Sequence, residues 1–170
     1  MKARIILTVL GSDRPGLTQE LADAVLAAGG NWLESHLARL GGKYVGSILV
    51  ELDAANLPQL SEEVLGVDAS GLQVAIVPAG AAPAGDAKPI LVELVGQDRP
   101  GIVREVTTVL SAIGANIESF ASETEPSAHS GEELFKAKIE LTLPSGSSPT
   151  QLQDALEAIS GEIMVDFSFG

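Results

Sequence analysis

Apolar and polar residues alternate one for one near the end of the chain. Phe135, Ala137, Ile139, Leu141 and Leu143 fall between Lys136, Lys138, Glu140 and Thr142, the period of a half-buried antiparallel strand with one wet face. A different period governs residues 102–113. There Ile102, Val103, Val106, Val109, Leu110 and Ile113 gather on one face at 3.6 residues per turn, which predicts an amphipathic helix. Leu17, Leu21, Val25 and Ala28 mark a matching stripe nearer the start, and Gly29 and Gly114 stand where the two helices should stop. Each helix follows a β-branched, aliphatic run closed by glycine, residues 3–10 and 89–95, as in buried strands. After each helix the pattern predicts two strands, 33–40 with 44–52 and 117–124 with 134–143. A second helix then carries Leu57, Leu60 and Val64, or Leu152, Leu156 and Ile159. A last strand alternates through Leu72, Val74 and Ile76, or Ile163, Val165, Phe167 and Phe169.

The order is thus βαββαβ, twice, and the residues themselves repeat. Leu10-Gly11-Ser12-Asp13-Arg14-Pro15-Gly16-Leu17 returns 85 residues later as Val95-Gly96-Gln97-Asp98-Arg99-Pro100-Gly101-Ile102. Gly29 and Asn31 return as Gly114 and Asn116 in the same register, and Glu34-Ser35 matches Glu118-Ser119 if one residue is gapped. Between the halves, residues 78–89 are small residues and prolines without apolar periodicity, a linker composition. We therefore expect domains at 1–79 and 89–170 joined by a linker at 80–88. The fold class is α+β: two ferredoxin-like domains in tandem, each an antiparallel four-stranded sheet with two helices on one face. Sheets covered on one side leave edges and faces for pairing, so a pseudo-symmetric domain pair and a homo-oligomer are the expected assemblies.

Composition narrows the function. With 10 basic residues against 23 acidic ones, a net charge of −13 repels phosphate backbones and acidic membrane faces, which argues against direct nucleic-acid or membrane binding. No run nears the length of a membrane helix and the first residues do not form a secretory leader, so a cytoplasmic protein is expected. There is no cysteine, hence no disulfide, thiol nucleophile or thiolate metal site. The two histidines, His36 and His129, occupy unlike positions without a partner motif, and Ser130 beside His129 reads as loop polarity. Glu62-Glu63 and Glu132-Glu133 read as solvated charge, Gly41-Gly42 and Gly80 with Gly85 as turn and linker. No catalytic residue, metal or cofactor is implied.

The motif that carries chemistry is Gly-x-Asp-Arg-Pro-Gly between the first strand and first helix of each half. Two readings stand side by side. In the structural one, glycine allows a tight strand exit, Asp13 or Asp98 caps the helix, and Pro15 or Pro100 occupies its first turn. In the ligand reading, free N–H groups at Gly16 and Leu17, or Gly101 and Ile102, favour a small carboxylate at the helix N-terminus. Asn31 and Asn116 then offer an amide across a domain interface. Trp32, beside Asn31, reads as a packing or interface residue.

The element order, the Asp-Arg-Pro-Gly loop and the Gly-x-Asn after the first helix resemble the ACT family over nearly the whole chain, and the two-domain form resembles its glycine cleavage system transcriptional repressor group. The resemblance implies an amino-acid-binding regulator, with glycine or serine as candidate ligand and a transcription factor as candidate protein partner. Carried over, the binding positions are Asp13, Arg14, Gly16, Leu17 and Asn31, with Asp98, Arg99, Gly101, Ile102 and Asn116. An alternative is a regulatory subunit or detached regulatory domain pair of an amino-acid or one-carbon enzyme, since similar domains precede formyltetrahydrofolate deformylases. The halves differ between their middle strands, where Gly41-Gly42-Lys43 is a short turn and Glu125–Gly131 a longer excursion, so the two sites need not be equal.

Overall fold

The computed structural model describes residues 1–68, 71–80, 89–127, 131–159 and 163–169. Two compact units divide the chain, Met1–Pro83 and Ala84–Gly170. The expected linker lies, after Gly80, outside the described residues, as do His129 and Ser130.

In the first unit, β1 (Lys2–Ser12), α1 (Leu17–Ala27), β2 (Asn31–Leu40), β3 (Lys43–Asp53), α2 (Leu57–Asp68) and β4 (Leu72–Pro78) follow one another. The second repeats the series as β5 (Ile90–Gln97), α3 (Ile102–Ile113), β6 (Asn116–Pro126), β7 (Glu133–Thr142), α4 (Pro149–Glu157) and β8 (Met164–Phe169). Both sheets are antiparallel and four-stranded, ordered β2-β3-β1-β4 and β6-β7-β5-β8. Alternation sorts each strand: Ile5, Leu7 and Val9 of β1 and Ile48, Val50 and Leu52 of β3 are buried against Leu17, Leu21 and Leu60 of the helices. The second core does the same with Val92, Leu94, Ile139 and Leu141 against Val106, Leu110 and Leu156. Each domain thus has its own apolar core, whose burial is the main force that assembles it.

Four expectations need adjustment. Val103 is 42 % exposed and stands outside the α3 stripe, and Ile159 follows α4 rather than lying in it. Glu125 and Pro126 belong to β6, paired with Leu134 and Glu133, so the excursion is shorter than the composition suggests. The gapped match also dissolves: β2 bulges between Trp32 and Glu34 and β6 between Ile117 and Ser119, so the structural counterpart of Glu34 is Ser119, still 85 residues on. An extra residue in one strand of a pair is a β-bulge, and both domains keep it. Further along, 18 residues separate Trp32 from its partner Val50 but 24 separate Ile117 from Leu141. The added length is one further ladder pair, Pro126 with Glu133, and a connection of six residues where the first domain has two.

Candidate functional site

The Asp-Arg-Pro-Gly loop is built identically twice, and neither copy uses the aspartate cap. The N-cap residues are Gly16 and Gly101, with φ of 94° and 93° and ψ of −10° and −5°, and no side chain caps either helix. Ile102 N–H donates to the Arg99 carbonyl at 3.3 Å. A proline second and a positive-φ glycine third in such a reversal define a type II turn, the one turn in which proline's fixed φ and glycine's freedom are both wanted. So Pro15 and Pro100 shape the turn ahead of the helix instead of starting the helix. Asp13 reaches sideways to Arg39 at 3.1 Å, and the Asp98 backbone N–H donates to the Glu133 carbonyl at 2.9 Å.

The arginines have a defined task. Arg14 forks onto Glu20 through Nη1–Oε1 at 2.6 Å and Nη2–Oε2 at 2.7 Å, and Arg99 onto Glu105 at 2.8 Å and 2.5 Å. A bidentate guanidinium–carboxylate pair fixes orientation as well as charge. The Glu20 hydrogen bond holds the Arg14 proton above its ordinary range, and the Arg99 fork holds the Glu105 carboxyl below the usual carboxylate value. Glu20 and Glu105 escaped the motif reading, although they too recur at the same spacing. Their partnership locks each turn onto the first turn of its helix. At the N-termini of α1 and α3 the N-cap glycine offers no side-chain acceptor. The other helices are treated differently. Ser148 and Gln151 close α4 with a full capping box, and Asp53 accepts from Ala55 N–H at 3.1 Å to cap the 3-10 turn leading into α2.

Around the first loop, Thr18 Oγ1 and Tyr44 Oη lie 2.6 Å apart and Lys43 Nζ donates to Ser12 Oγ at 3.4 Å. Sequence reading did not pair these side chains, because they come from β1, α1 and β3 and meet only through the β1–β3 register.

Asn31 and Asn116 are exposed first residues of β2 and β6. Within a domain they do not approach the loop. Asn31 pairs beside Glu51, Glu51 pairs with Arg4, and Ser12 ends β1 eight residues further on, a distance of about 27 Å along an extended strand. Loop and asparagine of one domain therefore lie toward opposite ends of the sheet. The C-terminus of α1, just before Asn31, is closed by Asn56 Nδ2 and Gln59 Nε2 donating to the Ala28 and Ala27 carbonyls at 3.0 Å and 2.8 Å.

Among the described residues no group of three or more His, Asp or Glu side chains could hold a metal ion, and no helix is long and apolar enough to cross a membrane.

Known proteins match this arrangement. The ACT domain sequence profile covers residues 3–76 and 88–120. The glycine cleavage system transcriptional repressors of Escherichia coli K12 and Shigella flexneri are each 25% identical over 166 residues, spanning 94% of this chain and 85% of theirs. A crystal structure of an unknown protein from Galdieria sulphuraria superposes with a TM-score of 0.84 at 26% identity, over 100% of this chain and 99% of that one. With the fold, the duplicated loop and the profile in agreement, the chain belongs to the ACT-domain family.

Proposed function

We propose that this protein is an amino-acid-sensing regulator, its ligand carboxylate received by the uncapped N-termini of α1 and α3. One observation carries the reading: the chain caps α4 and the approach to α2 with side chains, yet leaves both helices of the duplicated loop open. Orphan N–H groups and the helix dipole make such an end receptive to a small anion. Asp13 and Asp98, Arg14 and Arg99 shape the loop. Gly16 and Leu17, with Gly101 and Ile102, form the turn and helix start that present the first-turn N–H groups. Asn31 and Asn116, too far from their own loops, meet the ligand held by another copy of the domain. The likeness to glycine cleavage repressors supports glycine or serine as the ligand and a transcription factor as the partner. A net charge of −13 suits action through a protein rather than on DNA directly.

The test is titration with glycine, serine and larger amino acids, following Trp32 emission and thermal stability. A ligand that binds only the folded state at 100 times its Kd adds about 2.7 kcal/mol to stability. A selective upward shift that Asn31→Ala or Asn116→Ala weakens is expected; no shift with any amino acid overturns the reading.

A further inference from the structure

The two loops share a backbone and differ in the side chains that border it. Gly16 and Gly101 hold the same conformation, and the same arginine–glutamate fork locks each turn. On the helix side, the second residue of α1 is Thr18 and that of α3 is Val103. Thr18 Oγ1 lies 2.6 Å from Tyr44 Oη. Tyr44 is the ladder partner of Gly11, and the matching partner of Gly96 is Phe135, which has no hydroxyl and is buried in the second core. On the other side of the sheet, Lys43 pairs with Ser12 and Gln73 with Leu10, where the second domain pairs Leu134 with Gln97 and Met164 with Val95. Four positions with a polar end around the first loop thus have an apolar one around the second.

Charge changes with them. Asp13 is tied to Arg39 at 3.1 Å. Arg39 is the β2 partner of Tyr44, and the β6 partner of Phe135 is Thr124, so Asp98 has no arginine opposite it. A hollow of about 270 Å³, lined by Val95, Gly96, Gln97, Glu132, Leu134 and Met164, opens where β5 enters the second loop. The same turn, fork and helix stand on both sets of neighbours, so the fold requires neither set.

We infer that the two loops select different ligands: the first an amino acid with a hydroxyl side chain, the second one with an aliphatic side chain. This selectivity rests on the amino-acid-sensing reading above and adds what each site prefers. The Thr18 and Tyr44 hydroxyls can each donate and accept, so a ligand hydroxyl can join their pair. An aliphatic ligand would strip them of water without replacing it, which is how a hydroxyl-binding site rejects an analogue that lacks the group. At the second loop, Asp98 is left to meet the ligand ammonium. Val95, Leu134 and the adaptable Met164 offer an apolar wall, which leucine covers and serine leaves wet.

Calorimetric titration of the full chain with serine and with leucine tests this. The expected result is one serine and one leucine bound per chain, neither displaced by saturation with the other. Thr18→Val with Tyr44→Phe, the residues the second domain carries, should weaken serine about tenfold, the worth of one lost hydrogen bond, and leave leucine unchanged. Leu134→Lys with Met164→Gln should do the reverse. Should either pair fold poorly by far-UV circular dichroism, the wild-type chain still decides. Tyr44 is the only tyrosine, so serine should shift its ultraviolet spectrum and leucine should not. Competition between serine and leucine, binding of only one of them, a Tyr44 response to leucine, or equal losses of both in a folded pair overturns the inference and leaves amino-acid sensing standing. No heat with any amino acid overturns both.

Discussion

Gly16 and Gly101 stand in the left-handed region, with nothing within 4 Å of an added Cβ at either. Replacing either with alanine therefore costs only backbone strain, about 1–2 kcal/mol, and urea unfolding of Gly16→Ala followed by Trp32 should show that loss. Gly46 differs in kind. A Cβ there would lie 2.0 Å from the His36 carbonyl oxygen, so Gly46→Ala should pry β2 from β3 and speed amide exchange along that ladder. The forks make a prediction in acid. Glu105 is held below its ordinary 4.5 by Arg99, so the folded state binds that proton more weakly than the unfolded one. The fork's stabilisation is present above pH 4.5 and is lost as pH falls through the lowered value. Glu105→Gln should flatten this limb of the melting temperature against pH, while an unchanged slope would count against the fork.

At the scale of elements, the helices divide into capped and uncapped. Ser148→Ala removes the capping box of α4, nine residues long, and should cost about 1 kcal/mol. Asp98→Ala removes no cap and should leave thermal stability within about 0.5 kcal/mol, as for a surface change. Equal losses in the two variants would mean that the aspartate caps after all. The same contrast separates what was legible in the chain from what was not. The alternation through Phe135 to Leu141 and the stripe from Leu17 to Ala28 announced their elements because burial acts at a fixed period. The turn chemistry was not legible, because aspartate and proline before a helix each fit two roles. Only the φ of Gly16 and the direction of Asp13 toward Arg39 decide between them. Asn31 was read as reaching across a domain interface, and the β1–β3 register carries it to the far end of its own sheet from the loop.

The whole molecule has two cores and one set of optical reporters. Trp32 and Tyr44, the only tryptophan and tyrosine, both pack against the first core, so tryptophan and tyrosine signals see the first domain alone while far-UV circular dichroism sees both. Melting curves from the two probes should therefore separate, and coincident curves would show that the cores unfold as one. The closing consequence comes from the hairpins. Gly41 and Gly42, with φ of 58° and 77°, join β2 to β3 in two residues, while the equivalent β6–β7 connection takes six between strands that keep the same ladder and bulge. One chain thus already contains the comparison a protein engineer would make before inserting a peptide. The tip of the second hairpin is the place to graft an epitope tag or a circular permutant's new ends, and the diglycine tip of the first is the place to leave alone.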